Sequence, residues 1–359
     1  MIGGILLDTQ HIQDLDGGPE SQIPEHLQPG TTLVNRYLIQ GIVGVGGMGA
    51  VYCARDLHFP NVIKRVAVKE MVNTARDPRI HTTIVRNFER EANILATLNH
   101  PAIPRIYDYF SHNERSYLIL EFIEGKDLEA ILSETQGFLS EAQVLDWALQ
   151  LCDVLTYLHN YKPEPVIFRD MKPSNVMLSN HGNIMLVDFG IAKTFQTGQK
   201  GTMIGTEGYS PPEQYKGEAT PLADIYALGA TLHHLLTRRD PRYEPPFSFS
   251  ERKITDTNPA VSPAIEAVIY TALQYNPSDR FQSTAAMKEA LITAARKTGL
   301  LISTGVANPG LIKPGSIKAL WKFECEDEIR GSPTIQDGII FIGAYDNNIY
   351  AIHADTGEF

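Results

Sequence analysis

Twice within residues 165–190 a short apolar run carries an acidic residue into a loop. Val166-Ile167-Phe168 runs into Arg169, Asp170, Lys172, Pro173 and Asn175, and Ile184–Val187 runs into Asp188-Phe189-Gly190. Apolar runs this short, bounded by turn residues, read as buried strands. The fold must therefore bury two short strands and release a carboxylate from the end of each.

The surrounding sequence divides into two unlike parts. Residues 1–30 are rich in Gly, Pro, Asp and Gln and read as a flexible leader. From Tyr37 the chain is strand-like (YLIQGIVG, AVYCARD, KRVAVKEM), and the glycines of GVGGMG fall where a hairpin turn would. The segment from Thr82 to Asn99 is helical, with Ile84, Phe88, Leu95 and Leu98 on one face and Glu91 on the same stripe. IPRIYDYF and SYLILEFI add two strands. After residue 127 helices dominate, the first announced by the capping pattern Ser140-Glu-Ala-Gln143, and DIYALGATLHHLLT, SPAIEAVIYTALQ and AAMKEALITAARK follow. A small strand-rich lobe with one helix (37–123) thus precedes a larger helical lobe (124–297), an α+β arrangement spanning 31–297, with a cleft between lobes as the natural ligand site. A Gly/Pro-containing linker (298–318) leads to a segment of short strands (319–359) with turns at Gln336-Asp337-Gly338 and Asp346-Asn347-Asn348.

Composition narrows the function. A formal net charge of −11 disfavours a general nucleic-acid-binding role. Cys53, Cys152 and Cys325 are widely spaced and form no CxxC pair, which argues against a disulfide framework or a cysteine zinc site and for a reducing, cytoplasmic setting. No run of about 18 apolar residues suggests a membrane span, and MIGGILLD lacks the basic start of a signal peptide.

Several residues point to phosphate chemistry. Gly44, Gly46 and Gly49 form G-x-G-x-x-G, and glycines let backbone approach a phosphate. A dinucleotide fold would place them between strand and helix, whereas here a second strand follows. Lys69 lies inside the apolar strand VAVKEM, where an unpaired ammonium is costly, and Glu91 poses the mirror problem on its helix. The economical solution is that the two pair. At the loops, Asp170 can accept a hydroxyl proton, Lys172 can offset charge on a moving phosphoryl group, and Asn175 and Asp188 offer oxygens to Mg²⁺, a hard ion. Any one of these could be a turn residue capping backbone amides; their order along the chain is what carries the reading.

In that order the segment Tyr37–Lys297 resembles the bacterial eukaryotic-like Ser/Thr protein kinases. GVGGMGAVY resembles the glycine-rich loop, VAVK the lysine strand, FRDMKPSN the catalytic loop, DFG the metal-binding turn, and GTEGYSPPEQY the end of the activation segment, with Pro211-Pro212-Glu213 in place of Ala-Pro-Glu. The resemblance implies a bilobal protein-kinase fold and an ATP-dependent transfer to protein Ser or Thr, with ATP and Mg²⁺ required. Asp170, Lys172, Lys69 and Glu91 would be catalytic. Gly44, Gly46, Gly49, Val51, Ala67, Lys69, Glu121, Ile123 and Met177 would bind nucleotide, with Leu120 behind the hinge, and Asn175 and Asp188 would hold metal. Asp224 would anchor the catalytic-loop backbone and Arg280 would pair with Glu213. Arg169 resembles the arginine of kinases whose activation loop is ordered by a phosphate, with Thr194, Thr197, Thr202 and Thr206 as candidates and Thr202 first among them. A homodimer would allow autophosphorylation in trans. Phe168 departs from the family, which has His there. It keeps the apolar stack expected with Leu95, Ile106 and Phe189 and loses one hydrogen bond, about 1 kcal/mol.

Trp321, Ser332-Pro333, Asp337-Gly338, Gly343, Tyr350-Ala351 and Thr356-Gly357-Glu358 resemble one repeat of a quinoprotein-type (PQQ-like) β-propeller. One repeat cannot bury its faces alone, so the expectation is a piece of a longer kinase-propeller chain rather than a tail docked elsewhere. The rival expectations are a nucleotide-binding pseudokinase scaffold acting through the propeller, favoured only by Phe168, and a small-molecule kinase, against which GTEGYSPPEQ stands.

Overall fold

The computed structural model describes residues 26–46, 49–72, 78–113, 115–189 and 206–300, with Trp321, Phe323 and parts of 333–358. In the first helix the side chains of 78–84, Asn87 and Glu91 lie outside that description. Two compact units emerge, Met1–Leu301 and Ile302–Phe359.

The first unit opens with an antiparallel sheet of six strands: β1 (Thr32–Leu33), β2 (Tyr37–Gly46), β3 (Gly49–Asp56), β4 (Arg65–Val72), β5 (Ile106–His112) and β6 (Arg115–Glu121), in the order β1-β2-β3-β4-β6-β5. Period-two alternation sends Tyr52, Val66, Val68, Tyr117 and Ile119 to one face, where all are essentially inaccessible. The sheet curls until its ends meet. The Tyr37 ring on β2 stacks on Phe110 of β5 at 5.9 Å, and the Tyr37 hydroxyl donates to Asp108 at 2.8 Å. The inward face is thereby closed into a small core of its own, which Leu27 also joins. Residues 26–30, expected to belong to the leader, are part of this lobe: Gly30 N donates to Ile39 O at 2.9 Å.

Helix α1 (Pro78–Thr97) lays Phe88, Ala92 and Leu95 into the main core, alongside Met71 and Leu118 from the opposite face of the sheet. The short strand β7 (Gly125–Asp127) then leads into the helical lobe. There α2 (Leu128–Glu134), α3 (Glu141–His159), α4 (Pro221–Thr237), α5 (Ile254–Thr257), α6 (Pro263–Ala272) and α7 (Thr284–Lys297) surround a small sheet of β7, β8 (Val176–Ser179) and β9 (Ile184–Leu186). Ser140, Ser262 and Ser283 cap α3, α6 and α7 by accepting backbone N–H groups. Helix α4 is buried from Ala223 through Thr237, the mark of a helix packed on all sides.

A second sequence expectation also fails. Val166–Asp170 forms no strand, although Val166 and Phe168 are buried. Its amides bond elsewhere than to a ladder: Val166 N to Leu158 O at 2.9 Å, and Phe168 N and Arg169 N to the Asp224 carboxylate.

The second unit is a three-stranded antiparallel meander, β10 (Thr334–Gln336), β11 (Ile339–Gly343) and β12 (Ile349–His353). The first expected turn falls between β10 and β11, with Gly338 at φ 78°; most of the second lies outside the described residues. The indole N–H of Trp321 donates to Ala354 O at 2.8 Å. Its ring lies so close over Gly357 that a Cβ there would approach it to 2.5 Å.

Candidate active site

The residues of the Phe168–Asn175 loop converge around one buried carboxylate. Asp170 is 4 % exposed. Its Oδ2 accepts from Asn175 Nδ2 at 2.8 Å and lies 3.3 Å from Lys172 Nζ. Its Oδ1 accepts from the Thr206 hydroxyl at 2.7 Å, and that hydroxyl in turn accepts from Lys172 Nζ at 2.9 Å. A one-turn helix at Pro173–Asn175 sets the spacing, and Asn175 Nδ2 also donates to Asp170 O, closing the loop on itself.

The loop is carried by Asp224 at the start of α4. Its fully buried carboxylate accepts from Phe168 N at 2.9 Å, Arg169 N at 2.7 Å and His159 Nε2 at 2.8 Å. Arg169 takes φ 67°, a left-handed conformation costly for a side chain of that size. Burial pulls the Arg169 guanidinium below its ordinary range, Asp224 opposes this, and the charge of Arg90 adds to it. Glu213 and Arg280 form the expected pair, bidentate at 2.6 and 3.0 Å.

Beneath the loop, Phe168 and Phe189 meet edge-to-face at 5.1 Å. Leu95 belongs to the same core, with Ile106 packed against it. Phe168 is wholly buried in that stack.

A cavity of about 310 Å³ opens between the lobes, within the range of ligand sites. Gly44, Val51, Ala67, Lys69, Glu121, Ile123, Met177 and Asp188 line it, as does Leu120. Gly46 and Gly49 do not line it; they are a cross-strand pair at the end of the β2–β3 hairpin, which excludes the strand-to-helix geometry of a dinucleotide site. Gly49 is fixed by contact: φ is 146°, and a Cβ would lie 2.1 Å from Glu70 O. Lys69 faces the cavity from β4, and its Nζ stands 3.0 Å from Asp188 Oδ1. Asp188 itself sits at φ 57° with half its side chain exposed. Glu91 lies on α1, but its side chain, and with it the expected pairing to Lys69, falls outside the described residues. So do Thr194, Thr197 and Thr202, whereas the Thr206 hydroxyl is engaged by Asp170 and Lys172.

Sequence reasoning missed several members of the site. His159 adds a third donor to Asp224, and only its place in the last turn of a helix hinted at this. Asp127 lines the cavity while its Oδ1 caps α2 through Ala130 N at 2.8 Å; an acid directly before a helix was a legible cap signal. Val43, Ser174 and Leu186 also line the cavity.

The donor set suits Mg²⁺. Both Asn175 side-chain hydrogen bonds run from Nδ2, which leaves its carbonyl oxygen to a ligand, and Asp188 offers an exposed carboxylate. Two protein oxygens completed by phosphate and water are typical for this ion.

The family profile described as protein kinase domain matches residues 37–292. Serine/threonine-protein kinase PknA of Nostoc is 35% identical over 271 residues, covering 72% of this chain and 47% of that protein. Serine/threonine-protein kinase C of Synechocystis is 36% identical over 275 residues, covering 72% and 50%. The chain thus spans about half the length of these curated relatives. Among solved structures, the kinase domain of PknI from Mycobacterium tuberculosis superposes with a TM-score of 0.59 at 26% identity, covering 75% of this chain and all of that one.

Proposed function

The chain belongs to the protein kinase family, and from that premise we propose that it transfers the γ-phosphoryl group of ATP to Ser or Thr hydroxyls of proteins. The observation that carries this reading is Asp170, a buried carboxylate held by Asn175 and Lys172. The acceptor hydroxyl gives its proton to Asp170 as its oxygen bonds the γ-phosphorus. The bond from that phosphorus to the β–γ bridging oxygen breaks, and ADP leaves. Lys172 offsets charge on the moving group. Val51, Ala67 and Met177 sandwich the purine, and the backbone of Glu121 and Ile123 meets its edge. Lys69 holds the α- and β-phosphates, oriented by Glu91, under the turn of Gly44, Gly46 and Gly49. Mg²⁺, held by Asn175 and Asp188, would supply charge neutralisation at the phosphates. The test is transfer of label from γ-labelled ATP to protein by the wild type and by Asp170→Asn; equal rates would end the assignment.

Regulation by a phosphate in the activation segment is supported by the half-buried Arg169, whose neighbour Arg90 is also cationic. A half-buried guanidinium suits an anion, and Thr202 is the first candidate. Mapping the label separates Thr194, Thr197 and Thr202. Protein substrates and dimerisation for reaction in trans belong to the same proposal. Among the described residues no helix is long and apolar enough to cross a membrane.

In the same reading the kinase domain comprises residues 31–297, with Leu27 in contact with it, followed by a linker and a PQQ-like propeller repeat. What supports the repeat is β11. Ile340 faces Ile335 and Ile352 across the ladder, while Ile339 and Phe341 project to the opposite side. A strand apolar on both faces belongs between two other sheets. Replacing exposed Ile335, Phe341 and Ile349 by Ser in the full chain should lower binding of an apolar dye; unchanged binding would remove that support.

A further inference from the structure

Glu70 follows Lys69 on β4 and turns to the other face of the sheet, into the closed interior of the strand-rich lobe. Its carboxylate is wholly buried. Three donors from two neighbouring strands converge on it. From β3, the Tyr52 hydroxyl donates to Oε2 at 2.7 Å. From β6, Arg115 Nη1 donates to Oε1 at 2.7 Å and the Tyr117 hydroxyl to the same oxygen at 3.2 Å. The chain continues outward, because Leu27 N donates to the Tyr52 hydroxyl at 3.2 Å.

A buried ionic cluster is a poor way to gain stability, since apolar residues of the same volume often do as well or better. What such a cluster does supply is fixed geometry. Here it fixes the strand that carries Lys69 and that abuts Gly49 at the end of the glycine hairpin. Lys69 immediately precedes Glu70, paired across the sheet with Val51 and Leu118. On the other side of the peptide, Glu70 O rests against Gly49, where no Cβ would fit. The tyrosines remain donors throughout the physiological range: burial first, then the bond to Glu70, pushes Tyr52 up to about 12, and burial raises Tyr117 further.

We propose that Glu70 is a positioning residue for the nucleotide, locking β4 so that Lys69 and the Gly49 end of the glycine hairpin hold the phosphates in register, and that the segment at Leu27 is coupled to this lock through Tyr52. The proposal rests on the kinase reading above, in which Lys69 binds phosphate. It makes the segment before the first strand an input to nucleotide affinity, although that segment lies on the far face of the sheet from the cavity.

The test uses the full chain with three alterations: Glu70→Gln, Tyr52→Phe, and Glu70→Met combined with Arg115→Met. The double change removes both charges together, which keeps the fold from carrying an unpaired buried ion. Melting temperature, MgATP affinity by calorimetry, and kcat and KM for ATP with a generic protein acceptor are read for each. The expected result is a double variant that melts near the wild type but binds MgATP about tenfold more weakly, with the loss in KM rather than kcat. Glu70→Gln, which keeps an acceptor in place, recovers most of the affinity, and Tyr52→Phe falls between. A folded double variant with wild-type MgATP affinity overturns the proposal and leaves Glu70 a structural group. Wild-type protein that binds MgATP and transfers no phosphate overturns the transfer reading alone, because the affinity comparison still stands.

Discussion

Asp224 holds Arg169 by its backbone: Oδ1 accepts the Arg169 amide at 2.7 Å while the residue sits at φ 67°. The same carboxylate accepts Phe168 N and His159 Nε2. A strained residue persists only where its surroundings over-determine it, and the next residue along is Asp170. The Asp170 carboxylate is therefore aimed by an acid at the start of a helix, 54 residues further along the chain.

Asp224→Asn tests that dependence. The amide keeps one acceptor and turns the other oxygen into a donor facing N–H groups, so at least one buried amide loses its partner. The expected cost is about 1–3 kcal/mol of stability, with a fall in phosphate transfer larger than the loss of folded protein explains. Denaturant titration and an initial-rate assay on the same preparation check both. Wild-type rates in a folded variant would show that Asp170 does not depend on this anchor.

Asp170→Asn keeps the shape of the loop and removes the carboxylate proposed to accept the proton. Transfer should fall by about 10²–10⁴-fold, the range for a positioned general base, while MgATP still raises the melting temperature, because Lys69, Asp188 and the cavity walls are untouched. Loss of MgATP stabilisation in this variant would mean that Asp170 serves binding instead.

The glycines of the hairpin should separate sharply. A Cβ at Gly44 or Gly46 meets nothing within 4 Å, and neither has a left-handed φ. Gly49→Ala must either displace Glu70 or abandon φ 146°. Gly49→Ala should lower the melting temperature and weaken MgATP binding, whereas Gly46→Ala leaves the melting temperature within error. Equal melting temperatures for the two would show that the hairpin end yields without cost.

Phe168→Ala opens a cavity beneath Phe189 in a wholly buried stack. A loss of about 3–5 kcal/mol is expected, with transfer declining because the Asp188 turn rests on Phe189. Phosphate transfer by the wild type, with Phe168 in place, speaks against the scaffold alternative; the variant then shows whether the stack supports catalysis or only folding.

The sequence was most informative where chemistry and local pattern coincide. Lys69 in an apolar strand, Asp170 and Asn175 five residues apart, and the Ser140 cap were legible because each needs only its neighbours. Val166–Phe168 was misread as a strand because its apolar run is indistinguishable from one until Asp224, far away in sequence, takes the amides. His159 and Glu70 were missed for a related reason. Glu70 alternates to the inner face of its strand, and nothing local reveals that Tyr52 and Arg115 arrive there from 18 and 45 residues away. The closure of the sheet through Tyr37 and Phe110 is likewise a property of tertiary curl, absent from any window of sequence.

His233 makes acid stability a final test. It is inaccessible on α4, its Nε2–H donates to Arg252 O at 2.9 Å, and its ring lies edge-to-face with Phe249 at 5.1 Å. Burial lowers its pKa from 6.5 to about 4, the Arg252 carbonyl opposes that shift, and the charges of Arg252, His234 and Arg239 add to it. A histidine depressed in the folded state is protonated first in the unfolded chain. Its contribution is therefore complete above pH 6.5 and is lost as pH falls from 6.5 towards 4. By pH 5 the loss from this group alone is about 2 kcal/mol. His234, also lowered chiefly by burial, titrates in the same direction. Urea titrations at pH 7 and pH 5 on the wild type and His233→Gln give the answer. The amide can still donate to Arg252 O but cannot take up a proton, so the variant should lose about 2 kcal/mol less between the two pH values. An equal loss in both would place the acid sensitivity elsewhere in the molecule.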